Sequence, residues 1–334
     1  MPRPTLKDVC RQALVSEATV SRVINNSPLV HQRTRDRVLE VIRRLGYTPN
    51  AAARNLSRSR TDVIGVVFHQ MSSGFFAQVM AGIDAAAREN RYHLLCAFTR
   101  DDADPLPAYQ RMVDEMRVDG VIILDPSLSP QFLAQLKMYQ RPLVMIQREL
   151  EDAAISSISV DNRRGAYNGM KHLLSLGYRD LLVVKGPAGA QDAQLRLKGC
   201  EQALAEASQP PATCRQIDGG YAPHAALEAF REYRGRHGLP RAIFALNDAM
   251  ALAILKELRE TGVRVPQQVA IIGFDGIDCA GYVGLTTVET PMLELGKGAV
   301  GLFLQHVQSP DADARHVKLE TRLAVRDTCG GKAS

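Results

Sequence analysis

The sequence predicts an N-terminal all-α helix-turn-helix head followed by an α/β core, a two-lobed body built from two parallel-sheet subdomains. Short capped amphipathic segments fill the first 46 residues, and apolar strands alternate with helices from Asp62 onward. Charge divides at the same place: residues 1–60 hold twelve Lys or Arg against four Asp or Glu, a net +8, which leaves −3 for the rest of a +5 chain. A length of 334 residues exceeds what one hydrophobic core organises, and a small head plus two α/β units of ordinary size accounts for it.

In the head, Thr5 with Asp8 three residues on makes a capping-box start, and Leu6, Val9, Cys10, Ala13 and Leu14 fall at helical spacing on one side. Ser16 can cap the next helix, in which Val20, Val23 and Ile24 point inward. A third helix carries Val38, Val41, Ile42 and Leu45 on one face and stops at Gly46, so three helices close a small shared core. Along the outside of the second helix run Glu17, Ala18, Ser21, Arg22 and Asn25, with Ser16 and Thr19 at its start. These types suit a major groove. Arg bonds a guanine edge twice, Ala meets a thymine methyl, Glu accepts from cytosine, and Ser, Thr and Asn hold phosphates or bases. A polar stripe also occurs on any soluble helix, and the basic charge of this head is what favours a polyanion partner.

Residues 47–61, YTPNAAARNLSRSRT, join head and body. Pro49 bars a continuous helix, Asn50 can cap a new one, and Ala51, Ala52, Ala53, Arg54, Asn55 and Leu56 supply barely two turns. So short a helix is marginal in water and forms only against a partner. Arg54, Arg58 and Arg60 offer phosphate contacts, and Leu56 a wedge for the minor groove. Composition fits a plain basic linker equally well.

The body begins with strands at 63–68, 92–98, 119–124 and 142–146, between which lie helices near 75–90, 105–117 and 130–140. A second set has strands at 181–186, 214–218, 242–246 and 269–274 and helices near 162–176, 191–207, 222–235 and 247–261. Near-continuous apolar strands alternating with helices imply parallel sheets covered on both faces, and two such units in tandem place a cleft beyond their strand ends. HQMSSGFF (69–76), QRE (147–149), ND (247–248) and DGID (275–278) occupy those ends. Amides, hydroxyls, carboxylates and aromatic rings there suit a small polyhydroxyl or polar ring compound, although each taken singly reads as a helix cap, and Arg196 as a surface ion pair.

Other classes find little support. Hydrophobic residues make up 46% and charged ones 23%, and no apolar run approaches a membrane span. MPRPTLKD lacks the apolar stretch of a signal peptide, so a cytoplasmic location is expected. Cys10, Cys96, Cys200, Cys214, Cys279 and Cys329 are scattered without CxxC spacing, and the eight histidines show neither metal-ligand spacing nor a nucleophile partner. VVKGPAGAQ (183–191) is no dinucleotide fingerprint. Neither catalysis nor a cofactor or metal is expected.

The segments TLKDV (5–9), VSEATVSRVIN (15–25), TRDRV (34–38) and LGYTPNAAARNL (45–56) resemble the helix-turn-helix and hinge signatures of the lactose/galactose repressor (LacI/GalR) family. IGVV (64–67), DN (161–162), RLKG (196–199), ND (247–248), VP (265–266), GFD (273–275) and LTTV (285–288) resemble landmarks of its periplasmic-binding-protein-like core. The resemblance implies a head at 1–46, a hinge at 47–61 and a core at 62–334, whose first subdomain (about 62–160) takes back a segment near 291–326 while the second spans about 161–290. It implies DNA contact by Glu17, Ala18, Arg22, Thr34, Asn50, Ala53, Arg54 and the wedge Leu56. It implies an effector cleft lined by Ser73, Phe75, Gln147, Arg196, Tyr221, Asn247 and Asp275, to which the strand ends add His69.

The sequence also departs from the family pattern. Leu14 stands where the family has Gly, and accepts either a helical conformation or left-handed strain of roughly 1–2 kcal/mol. His31 replaces a capping Ser, Gly74 a Pro, and Gln147 a carboxylate. An amide at 147 both donates and accepts, which changes the set of hydroxyls or carbonyls it recognises. The function implied is a ligand-controlled repressor, a homodimer on a near-palindromic operator, responding to a sugar, sugar acid or glycoside, with a purine or nucleoside as the other effector class. A solute-binding protein or a DNA-binding enzyme of sugar metabolism are the rival classes. The last residues, RDTCGGKAS, carry no heptad tail, so a dimer is expected.

Overall fold

The computed structural model describes residues 4–24, 26–47, 60–69, 74–99, 106–115, 117–124, 135, 141–150, 155–207 and 211–331. The chain divides into two compact units, Met1–Thr61 and Asp62–Ser334.

In the first unit α1 (Leu6–Ala13), α2 (Glu17–Ile24) and α3 (Gln32–Leu45) enclose Val9, Ala13, Val20, Val23, Val38 and Val41. The capping box forms as its residues require: Asp8 Oδ2 accepts from the Thr5 N–H at 2.9 Å, and Thr5 Oγ1 accepts from the Asp8 N–H. Ser16 Oγ accepts from the Thr19 N–H at 3.2 Å and so caps α2. Arg44 of α3 donates to Gln12 at 2.9 Å, and Arg35 donates to Asn26 Oδ1 at 2.7 Å, tying the turn after α2 to the third helix. His31 precedes α3 without a side-chain capping bond. Leu14 corrects one expectation: it is not on the core face but 83% exposed, at φ 51° and ψ 49°. The turn takes the left-handed conformation and leaves the leucine side chain in water.

The second unit contains two six-stranded sheets. β1 (Val63–His69), β2 (His93–Thr99), β3 (Gly120–Leu124), β4 (Leu143–Ile146) and β5 (Ser156–Val160), with α4 (Gly74–Glu89) and α5 (Leu106–Asp114), build the first lobe. The second lobe holds α6 (Asn162–Ser175), β6 (Asp180–Lys185), α7 (Gln191–Ala205), β7 (Thr213–Asp218), α8 (Pro223–His237), β8 (Ala242–Ala245), α9 (Asp248–Glu260), β9 (Ala270–Asp275), α10 (Asp278–Tyr282) and β10 (Thr286–Glu289). The chain then returns as α11 (Met292–Gln308) and β11 (His316–Leu319) in the first lobe and ends its sheets with β12 (Arg322–Ala324) in the second. The sheet orders are β11-β5-β4-β3-β1-β2 and β12-β10-β9-β8-β6-β7, parallel throughout except that β12 runs antiparallel to β10. The segment expected to return near 291–326 therefore divides, since β12 pairs in the other lobe.

Three crossings, at 160–162, 289–292 and 319–322, join the lobes. Apolarity predicts the buried strands β1, β3 and β4 but not β5, whose Ser156, Ser157 and Ser159 break the pattern. Two of these serines are satisfied from the returning segment: Ser156 Oγ lies 2.7 Å from His306 Nε2 and Ser157 Oγ 2.9 Å from His316 Nδ1. Gly199 lets α7 lie against α6, where a Cβ would collide with the Arg163 carbonyl. The helix expected near 130–140 lies outside the described residues apart from position 135. Among the described residues no helix is long and apolar enough to cross a membrane.

Replacing the exposed Leu14 with Gly removes left-handed strain without opening a hole. Leu14→Gly should stabilise the three-helix unit by about 1 kcal/mol, read as a roughly fivefold slowing of amide hydrogen exchange across α1–α3 in the full chain. Faster exchange would show that the leucine side chain contributes more than its backbone costs.

Candidate functional site

Two surfaces gather chemistry. On the head, the three-helix core turns α2 so that Ser16, Glu17, Ala18, Ser21 and Arg22 are exposed while Thr19 and Thr34 are half-buried. The Arg22 side chain makes no hydrogen bond or ion pair among the described residues, which leaves its guanidinium available to an outside acceptor. Thr19 Oγ1 lies 3.0 Å from Ser16 Oγ, so these two hydroxyls share the helix start. Asn25, Asn50, Ala53, Arg54 and Leu56 lie outside the described residues.

In the body, Arg196 of α7 is only 2% exposed, which corrects its reading as a surface ion pair. Its Nη1 lies 2.9 Å from Asp275 Oδ1 and donates to the Leu246 carbonyl at 2.6 Å. Nε donates to Asn162 Oδ1 at 2.8 Å, and Nη2 lies 3.8 Å from Asp192 Oδ2. The guanidinium rests on the Phe274 ring, 3.9 Å from its centroid, and 5.5 Å from that of Tyr221. Tyr221 Oη donates to Asp192 Oδ2 at 3.0 Å, and Asn247 Nδ2 donates to the Tyr221 carbonyl at 3.3 Å while its Oδ1 caps α9. From the first lobe Gln147 reaches this network, its Oε1 3.5 Å from Asn162 Nδ2.

Thus five expected residues, Gln147, Arg196, Tyr221, Asn247 and Asp275, join one buried network at the C-terminal ends of strands. Phe75 is buried at the start of α4, edge-on to Phe76, next to Gly74, where a Cβ would meet the Ile277 side chain of the second lobe. Ser73 and the side chain of His69 lie outside the described residues. Sequence reasoning missed Asp192, Asn162 and Asp248 as partners. The pairs DN and ND marked two of these positions, but nothing local tells a capping Asp from a buried one.

Gln147, Tyr221 and Asp275 have φ of 62°, 60° and 116°, a region that L-residues enter at a cost of about 1–3 kcal/mol and that clusters at binding sites. Asp248 holds the following loop: its Oδ2 accepts from the Gly276 and Ile277 N–H groups at 2.7 and 2.9 Å, and its Oδ1 from Thr287 Oγ1 at 2.5 Å. Gly273 is required beside it, since a Cβ there would strike the carboxylate. Burial, reinforced by the neighbouring Asp275, pushes the Asp248 carboxyl up to about 7. Burial also pushes Asp275 up to about 6, against the pull of Arg196. The cleft is bridged at two further places. Gln191 pairs twice with the backbone of Glu149, at 2.7 and 3.0 Å, and Gln78 of α4 donates to Asp278 at 2.9 Å. Among the described residues no group of His, Cys, Asp and Glu could hold a metal ion.

Comparison with known proteins places both surfaces in context. Residues 5–50 match the model "Bacterial regulatory proteins, lacI family", and residues 170–329 match a periplasmic binding protein-like domain. The HTH-type transcriptional repressor PurR of Aliivibrio salmonicida is 32% identical over 96% of this chain and 98% of its own. Catabolite control protein A of Priestia megaterium is 31% identical over 97% of this chain and 98% of its own. The lac repressor dimer bound to operator and the anti-inducer ONPF superposes with a TM-score of 0.87 at 25% identity, covering 98% of this chain and 99% of that one. A CelR–cellobiose complex, a transcriptional regulator, gives 0.73 at 28% identity over 98% of this chain and 100% of its own.

The raised carboxyls carry a pH dependence with a definite sign. Unfolded, both ionise near 4; folded, they keep their protons to about 7 and about 6. The folded state binds more protons between about pH 4 and 7, so stability falls as pH rises through that window and levels off above it. Thermal unfolding of the full chain from pH 5 to 8 should show this decline, and Asp248→Asn, which keeps an acceptor for the loop, should flatten it.

Proposed function

This chain belongs to the LacI family of bacterial regulatory proteins and is a DNA-binding transcriptional repressor rather than an enzyme, and from that premise we propose how its residues divide the work. The head at 1–46 docks α2 in the major groove, with Glu17 and Ala18 tuning half-site choice, Arg22 reading a base edge and Thr34 holding phosphate. The observation that supports this is the exposed stripe from Ser16 to Arg22 on the one part of the chain with a large positive charge. The hinge at 47–61 contributes Asn50, Ala53 and Arg54 to the minor groove, and Leu56 as the wedge that bends the duplex.

Repressors of this family act as dimers on operator DNA and answer to a small molecule. Here the partner copy sits against the edge strand β2. Its Phe98 is 59% exposed, and Leu95 and Ala97 line, with Arg111, Met112, Glu115 and Arg117, a cavity of about 270 Å³. The effector enters the buried network between the lobes, where Gln147, Arg196, Tyr221, Asn247 and Asp275 converge and Phe75 closes one side. The effector class we infer is a sugar, sugar acid or glycoside, which the cellobiose and ribose complexes of similarly folded regulators support, with a purine or nucleoside as the alternative, to which the PurR relatives point. Closing the lobes changes the spacing of the paired first lobes, and through them the hinge, a coupling of about 1–3 kcal/mol in typical cases.

Selection from random duplexes should return a near-palindrome, and an unselective protein would remove the reading at its base. Arg22→Ala should weaken binding to that site by about 10- to 100-fold while sparing non-specific binding. Leu56→Ala should bind with less bending of the duplex. Phe98→Asp should shift the protein toward monomer in sedimentation and weaken operator binding with it.

A further inference from the structure

Among the buried polar atoms of the network around Arg196, Asp192 Oδ1, on a residue 6% exposed, and Gln147 Nε2, on one 4% exposed, make no hydrogen bond and no ion pair, whereas Asp275 Oδ1, likewise without a hydrogen bond, has Arg196 Nη1 at 2.9 Å. Of the first two, one is an acceptor and the other a donor. An unpaired buried polar atom costs about 1–3 kcal/mol, so these two mark what an incoming molecule must supply.

Arg196 is the network's buried cation, and its capacity is largely spent. Nε and Nη1 bond Asn162, Leu246 and Asp275. Only Nη2 lacks a direct bond, facing Asp192 Oδ2 at 3.8 Å. Against this one guanidinium stand Asp192 and Asp275 on either side. Arg148, next after Gln147, is half-buried and has an interaction of its own. The described network thus carries more carboxylates than cations. A hydroxyl can accept from Nη2 and donate to Asp192 Oδ1 together; a carboxylate or phosphate can only accept, and brings a second negative charge beside Asp192.

We propose that Asp192 is a charge filter that admits uncharged polyhydroxyl effectors and rejects their acid or phosphorylated counterparts, with Gln147 donating to another oxygen of the same molecule. This rests on the effector reading of the cleft, and it narrows the sugar and sugar-acid classes to the first.

Calorimetric titration of the full chain with matched pairs tests it: glucose with glucuronate, galactose with galacturonate, ribose with ribose 5-phosphate, and cellobiose with cellobionate. At least one neutral member should bind, and its acid partner should bind about tenfold or more weakly. Asp192→Asn keeps an acceptor for Tyr221 yet removes the charge, so it should weaken the neutral ligand about tenfold and leave the acid unchanged or improved. A purely structural role for Asp192 would weaken both alike. An acid that equals or beats its neutral partner, an equal loss for both in Asp192→Asn, or no binding by any neutral saccharide overturns the proposal. If Asp192→Asn does not fold, the wild-type ratio decides. Operator selection is independent of all these outcomes, so a protein that selects a palindrome and binds an acid overturns the filter alone.

Discussion

The burial of one guanidinium organises the body. Arg196 has left water almost completely, and a buried cation is tolerated only where charge and hydrogen-bond acceptors surround it. The acceptors come from separate parts of the chain: Asp275 at the end of β9, the carbonyl of Leu246 after β8, Asn162 where the chain first enters the second lobe, and Asp192 one turn earlier on α7. Burial would lower the pKa of the arginine by itself, but Tyr221, Asp275 and Asp192 around it outweigh that and hold it above its ordinary value. Removing any one partner leaves the charge short of compensation, which is why the strand ends of this lobe act together.

The same compensation links the lobes. Asn162 accepts from Arg196 and donates toward Gln147, so a residue of the first lobe reads the state of the buried cation through a single amide. Around this contact the chain crosses between lobes three times, and two clasps, Gln191 with Glu149 and Gln78 with Asp278, bridge them through neutral amides. Hydrogen bonds of this kind contribute about 1 kcal/mol each, small enough for a ligand to outweigh. The cores of the lobes are, by contrast, tightly filled. Any movement of one lobe against the other must bend the chain at these three crossings and break or keep these two clasps.

The head follows a different rule. Its core is six small or β-branched residues, and its recognition face is defined by what that core leaves out. Its positive charge gives attraction to any duplex, while selectivity depends on a few side chains held in register by the caps at Thr5 and Ser16. Leu14 shows how little the turn depends on residue preference. Main-chain geometry is retained against a cost of about 1–2 kcal/mol, because the angle between α1 and α2 determines where α2 points.

Periodicity and capping chemistry were enough to read three head helices, the strands β1–β4 and β6–β9 and the helices α4 to α9, since each is written in a contiguous stretch of chain. Strand ends likewise nominated Gln147, Asn247 and Asp275, while Tyr221 came only with the family resemblance. What sequence could not hold was long-range partnership. The serines of β5 look unsuited to a buried strand until His306 and His316 arrive from some 150 residues away. Short returning strands such as β11 and β12 have too few residues for a pattern, and only pairing assigns one to each lobe. Asp192 stands in the first turn of its helix like an ordinary helix carboxylate, and for Leu14 the sequence left a helical and a left-handed conformation open, of which the structure takes the second. Local sequence determined the elements and the chemical types at their ends, because hydrophobic spacing and caps act within a few residues. Tertiary structure alone decided which polar groups are buried and which remain unpaired, because burial and compensation depend on atoms brought together from distant parts of the chain.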